Sequence, residues 1–77
     1  MILYIKENCP YSLAVLHKIE EMNLKPDIRS VNQNRHALEL IEKGGKFQVP
    51  CLVDPKNDVV MYESQDIMDY FDTLDKK

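Results

Sequence analysis

The stretch of this chain best suited to chemistry is Cys9-Pro10-Tyr11-Ser12. It follows the apolar run Ile2-Leu3-Tyr4-Ile5 and precedes a helical pattern, so Cys9 is expected where a strand ends and a helix begins. Unpaired backbone N–H groups and the helix dipole stabilise a thiolate at such a place, and thiols there titrate at about 3.5–7.5 instead of near 8.5. The thiolate is the nucleophile of disulfide exchange. Lys6, three residues upstream on the connecting loop, adds a positive charge near the sulfur or near an anionic ligand. Ser12 stands where a Cys-x-x-Cys redox pair would carry its second thiol, so an external thiol has to release whatever Cys9 captures. The Ser12 hydroxyl can hydrogen-bond the thiolate. Residue type alone leaves a second reading open, with Cys9 a small buried apolar residue, Lys6 a solvated charge and Ser12 a residue satisfied within the first helical turn.

The elements that must position these residues follow from hydrophobic spacing. Ile2 to Ile5 is a continuous apolar run of strand length, as expected for a central strand covered on both faces. Pro10 suits the first helical position, and Leu13, Leu16, Ile19 and Met22 recur at helical spacing until Pro26, which predicts a helix over residues 10–23. Residues 27–31 fit a short strand, and Ala37, Leu38 and Ile41 mark one face of a helix ended by Gly44-Gly45. Cys51-Leu52-Val53 and Val59-Val60-Met61-Tyr62 read as a β-hairpin joined by residues 54–58. Ser64 can cap a last helix with Ile67, Met68, Phe71 and Leu74 on its apolar face and Asp66 near its positive end. The order is βαβαββα, with helices covering both sheet faces, and residues 1–77 form one domain with a frayed Lys76-Lys77 tail.

Composition excludes several classes. Hydrophobic residues at 44%, charged residues at 30% and two glycines match a packed protein and not a disordered or collagen-like chain. Ten basic against thirteen acidic residues give a net charge of −3 with no Lys/Arg-rich block, so nucleic acid is not an expected partner. The first apolar run stops at Lys6-Glu7, short of a secretory signal, and no segment is long enough to span a membrane. A cytoplasmic monomer is the expectation, in a compartment where thiols stay reduced and the two cysteines are read as chemistry or as core. Cys9, Cys51, His17 and His36 lack paired ligand spacing, so no metal is expected. Cys51, just after Pro50, reads as core, although the order of elements does not exclude a disulfide to Cys9. His17 and His36 are read as surface or boundary residues, and Tyr4, Tyr62 and Tyr70 as packing residues with wet hydroxyls.

Leu3-Tyr4-Ile5-Lys6-Glu7-Asn8-Cys9-Pro10-Tyr11-Ser12 resembles the active-site segment of glutaredoxins, with serine in the resolving position. Residues 48–54, Gln-Val-Pro-Cys-Leu-Val-Asp, and 62–67, Tyr-Glu-Ser-Gln-Asp-Ile, resemble the Val-Pro and Glu-Ser-x-x-Ile elements of glutathione-transferase amino-terminal domains and of the larger glutaredoxins. The resemblance implies the thioredoxin (glutaredoxin-like) fold, a four-stranded mixed sheet that binds glutathione. It implies a cis peptide between Val49 and Pro50, with the Val49 backbone pairing with the cysteinyl part of glutathione as an added strand would. Ser64 and the N–H groups beside it would hold the γ-glutamyl carboxylate. Glu63 or Asp66 would receive the γ-glutamyl ammonium, Lys46 would face the glycine carboxylate, and Tyr11 would line the thiol and the groove. Plain alternatives stand beside these: Pro50 as the start of an ordinary strand, Ser64 as a helix cap, Lys46 as a solvated surface lysine.

The function this implies is a monothiol, glutathione-dependent thiol-disulfide oxidoreductase, with glutathione as co-substrate and glutathionylated proteins or small disulfides as partners. The alternative is a non-catalytic glutathione-binding or protein-interaction module derived from a transferase amino-terminal domain. A full transferase is disfavoured, because that family builds its electrophile pocket from a following helical domain. A [2Fe–2S] cluster carrier is a minor alternative, since the Cys-Gly-Phe-Ser of cluster-binding monothiol glutaredoxins is absent.

Overall fold

The computed structural model describes residues 1–74. The elements run β1 (Ile2–Ile5), α1 (Pro10–Met22), β2 (Asp27–Ser30), α2 (Asn34–Gly44), β3 (Cys51–Asp54), a 3-10 turn (Pro55–Asn57), β4 (Val59–Met61) and α3 (Ser64–Leu74), in the expected βαβαββα order. The expected Lys76-Lys77 tail lies outside the described residues. One mixed sheet has the strand order β2-β1-β3-β4; β1 pairs with β2 in parallel, and the other two pairs are antiparallel. The parallel pair needs a crossover, which α1 supplies, whereas β3 and β4 are joined by a tight connection in which Asp58 takes a φ of 56°. Among the described residues no helix is long and apolar enough to cross a membrane.

Strand alternation divides the apolar runs between two cores. Leu3, Ile5 and Leu52 face α1 and α3, where Val15, Ile19, Ile67 and Phe71 meet them. Tyr4, Cys51 and Val53 face the other side, with Val31 and Leu40. This explains why β1 and β3 carry no polar alternation: both of their faces are covered. Fully burying side chains such as Leu3, Leu52, Ile67 and Phe71 contributes roughly 1.5–3 kcal/mol each.

The buried faces of α1 and α2 differ in part from the sequence expectation. On α1 the buried positions are Ser12, Val15 and Ile19, while Leu13 is exposed. Leu16, Ile19 and Met22 pack on the core as expected, but a polar serine takes the inward site of the first turn in place of Leu13. On α2, Leu40 faces the sheet and Leu38 and Ile41 do not. Its inward stripe includes Ala37 and Gly44, small residues that carry little hydropathy signal. Both helices end on left-handed residues, Asn23 at φ 55° and Gly45 at φ 90°, side-chain types that tolerate this region.

The tyrosine hydroxyls also depart from the expectation, since they bond to protein. Tyr4, fully buried, donates to Glu39 at 3.2 Å. Tyr70 donates to Asp54 at 2.6 Å, and Asn57 Nδ2 donates to the same carboxylate oxygen at 2.8 Å. These bonds, Tyr70 foremost, hold the Asp54 carboxyl below its usual range against the opposing effect of burial. They also tie α3 to the hairpin at the sheet end where β1 begins.

Candidate functional site

At the other end of the sheet, the chain turns from β1 into α1 within four residues. The Cys9 N–H donates to the Lys6 carbonyl at 3.3 Å, and Asn8 adopts a φ of 66°, which asparagine accepts more readily than most residues. Cys9 is the residue immediately before α1, extended at φ −90° and ψ 121°, and its carbonyl accepts the N–H of Leu13 at 2.9 Å. Its side chain closes no formal capping hydrogen bond. The sulfur nevertheless lies close enough to the helix start for its thiol to titrate below the ordinary value. The Ser12 backbone N–H is the largest cause; partial burial opposes it, and the Ser12 hydroxyl, the Tyr11 N–H and the Lys6 charge add to it.

Ser12 has a second task. Its buried Oγ accepts the Lys6 N–H at 3.2 Å, which ties the loop between β1 and α1 back onto the helix. A hydroxyl that accepts from Lys6 still has its own hydrogen to offer the sulfur. Lys6 itself is exposed, and Tyr11 is 66% exposed beside the thiol.

The strand register brings the distant segments to the same end. Cys51 pairs with Tyr4, so Pro50 and Val49 continue β3 past the end of β1, towards the start of α1. The Val49–Pro50 peptide is cis, as expected. Pro50 is fully buried and Val49 packs against the α2-side core. On the next strand Met61 pairs with Leu52, so Tyr62, Glu63 and Ser64 also leave the sheet at this end. The Glu63 carbonyl accepts the Ile67 N–H at 2.9 Å, which makes Glu63 the cap residue by backbone and Ser64 the first helical residue, so α3 begins one position earlier than expected. Asp66 lies in the first turn of α3.

Lys46 is exposed and its Nζ sits 4.5 Å from the centroid of the Tyr62 ring, while its carbonyl accepts the Tyr62 hydroxyl at 3.3 Å. Tyr62 and Asn8 are site-end residues whose positions the hydropathy pattern does not reveal. Asn8 carries a turn signal in its residue type. Tyr62 carries none, because its partners, Lys46, Gly44 and Cys51, are all more than ten residues away in sequence.

Cys51 completes the inventory of thiols. It is fully buried in the α2-side core, both cysteines are free, and burial pushes its thiol up to about 11, partly offset by Tyr62. It packs as core and is no resolving partner in this arrangement. Among the described residues no group of three or more His, Cys, Asp or Glu side chains is placed to hold a metal ion. An open depression bordered by His17, Glu20 and Glu21 lies on the second half of α1, away from the end that carries Cys9.

A search of curated proteins finds no match. Residues 8–74 match the family of the glutathione S-transferase N-terminal domain, a span that includes Cys9, Val49-Pro50 and Ser64. With its βαβαββα order and mixed four-stranded sheet, this thioredoxin-like chain belongs to the glutathione S-transferase N-terminal domain family.

Proposed function

We propose that the chain is a glutathione-dependent thiol-disulfide oxidoreductase that works through Cys9 alone. The single observation that carries this reading is the thiol at the start of α1, lowered by backbone N–H groups and reachable from solvent. Membership of a glutathione-transferase domain family supports the choice of glutathione as ligand. The setting is cytoplasmic, where glutathione is the abundant thiol.

The chemistry proceeds in two exchanges. The Cys9 thiolate attacks the glutathionyl sulfur of a mixed disulfide, the S–S bond breaks, and the substrate leaves as its own thiolate. A glutathione thiolate then attacks the glutathionyl sulfur held on Cys9, which forms glutathione disulfide and returns the Cys9 thiolate. Ser12 supports the thiolate through its N–H and hydroxyl in both steps. Because position 12 is serine and Cys51 is buried, no second thiol of the chain intervenes. In this reading Val49 pairs its backbone with the cysteinyl unit beside Pro50, Ser64 and the start of α3 take the γ-glutamyl carboxylate, Glu63 or Asp66 its ammonium, and Lys6 and Lys46 supply positive charge. Tyr11 borders the groove.

The test is direct. Purified, reduced protein is expected to transfer glutathione from a mixed disulfide of a small thiol, and Cys9→Ser to lose the transfer. Absence of Cys9-dependent transfer by the wild type would sink the proposal. Family membership also favours a second reading, a module that binds glutathione without turning it over. An alkylation profile for Cys9 centred near an ordinary thiol value of about 8.5 would favour that module.

A further inference from the structure

Tyr62 joins three segments that are remote in sequence. Its hydroxyl donates to the Lys46 carbonyl, its ring lies under the Lys46 ammonium at 4.5 Å, and its body packs against the α2-side core of Leu40 and Cys51, which Val49 also borders. One residue further on, the chain reaches Glu63 and then Ser64 at the start of α3. The space it occupies exists because residue 44 is glycine. A Cβ at Gly44 would stand 2.1 Å from the Tyr62 hydroxyl oxygen and 3.1 Å from Cζ, with Leu40 next at 3.7 Å.

We propose that Tyr62 is a positioning residue of the glutathione site, holding Lys46 and the strand entry at Val49-Pro50 at a fixed spacing from Ser64. The inference rests on the glutathione reading above. Two halves of the cradle come from different parts of the chain: the 46–50 segment after α2, and the turn from β4 into α3. Between them an extended ligand would have to span a constant gap, and Tyr62 is the side chain that fixes it by hydrogen bond, cation–π contact and packing together. Its role is indirect, since it acts through Lys46 and the backbone that follows.

Gly44 makes the idea testable without removing the tyrosine. An alanine there leaves the hydroxyl no room, and the cheapest relief is for the ring to swing out and release Lys46. Removing only the hydroxyl removes the 2.1 Å conflict and leaves the 3.1 Å approach to Cζ, which a shift of a few tenths of an ångström relieves, so the two changes should not add. The variants are Tyr62→Phe, Gly44→Ala and the double variant. The readouts are the Kd for reduced glutathione from amide-shift titration, the pH profile of Cys9 alkylation, and thermal melting. Tyr62→Phe is expected to weaken glutathione about five-fold, the size of one neutral hydrogen bond. Gly44→Ala should weaken it about ten-fold or more, and the double variant should return to the Tyr62→Phe value, with the Cys9 alkylation midpoint unmoved throughout.

A Tyr62→Phe protein that melts like the wild type and binds glutathione equally well would overturn the inference, as would a double variant no better than Gly44→Ala. A wild type that shows no saturable response to glutathione instead brings down the functional reading, and the inference with it. The two failures are therefore distinguishable.

Discussion

Cys9 and Cys51 are the same residue type at neighbouring ends of strands, yet their thiols are pushed in opposite directions. Cys9 sits at the start of a helix with N–H groups nearby, and its thiol titrates below the ordinary value. Cys51 is the first residue of β3, its side chain sealed in the α2-side core, and burial raises its thiol to about 11. Sequence distance to proline does not separate them, since Cys9 precedes one and Cys51 follows one. The difference teaches that reactivity here is a property of the backbone around the sulfur, and that a thiol inside the core is defined by what excludes water from it.

The widest separation between the two is expected from substitution of the sulfur itself. Cys9→Ser should abolish glutathione transfer while leaving the melting temperature close to that of the wild type. Cys51→Ala should leave transfer largely intact and cost about 1–2 kcal/mol of stability by opening a small cavity in the α2-side core, read from urea unfolding. Loss of transfer in Cys51→Ala at full stability would place Cys51 in the chemistry and break the comparison.

Native-state alkylation should show the next largest contrast. At pH 8 a thiol that titrates near 11 is only about 0.1% thiolate, before its burial is considered, so Cys51 should react on the timescale of unfolding and Cys9 within the dead time of that process. Equal labelling of both residues in folded protein would contradict the geometry.

Alkaline stability sharpens the same point. The folded thiol of Cys51 is raised above an unfolded value of about 8.5, so its contribution is fully present below that pH and is lost as pH rises towards 11. The wild type should therefore lose stability between about pH 8.5 and 11 more steeply than Cys51→Ala does. Cys9 has the opposite sign: its depressed thiol favours the folded state above the unfolded value, and that contribution fades as pH falls.

The smallest effects are expected around Cys9. Ser12→Ala removes the hydroxyl but keeps the larger influence, the backbone N–H, so the alkylation midpoint should rise only part of the way to the ordinary thiol value, and Lys6→Ala, which removes an exposed charge, should raise it less still. A larger rise for Lys6→Ala than for Ser12→Ala would reverse the order of causes.

Much of the fold was legible because it rests on local rules. Pro10 opens a helix and Pro26 bars its continuation, the runs at 2–5 and 51–53 are too apolar for half-buried strands, and Gly45 ends α2. The chemical segment was legible for the same reason: strand, turn and helix start are adjacent, so Cys9 and Ser12 are placed by their own neighbours. Helix orientation was less so. Ala37 faces the core as its spacing says, but Leu13, Leu38 and Ile41 do not, and the sheet accepts Ser12, Leu40 and the small Gly44 instead, because the room on each face is set by side chains from other elements.

By itself, then, the sequence determined the order of elements, the position of Cys9 at a helix start, and the lack of a second thiol beside it, since each depends on interactions within a few residues. The tertiary structure alone decided that Cys51 is buried in the α2-side core, that the segments at 46–50 and 62–64 leave the sheet at the Cys9 end, and that Tyr62 fills the space above Gly44. Those facts depend on strand register and on contacts between residues far apart in the chain, where no local spacing records which side chain will meet which.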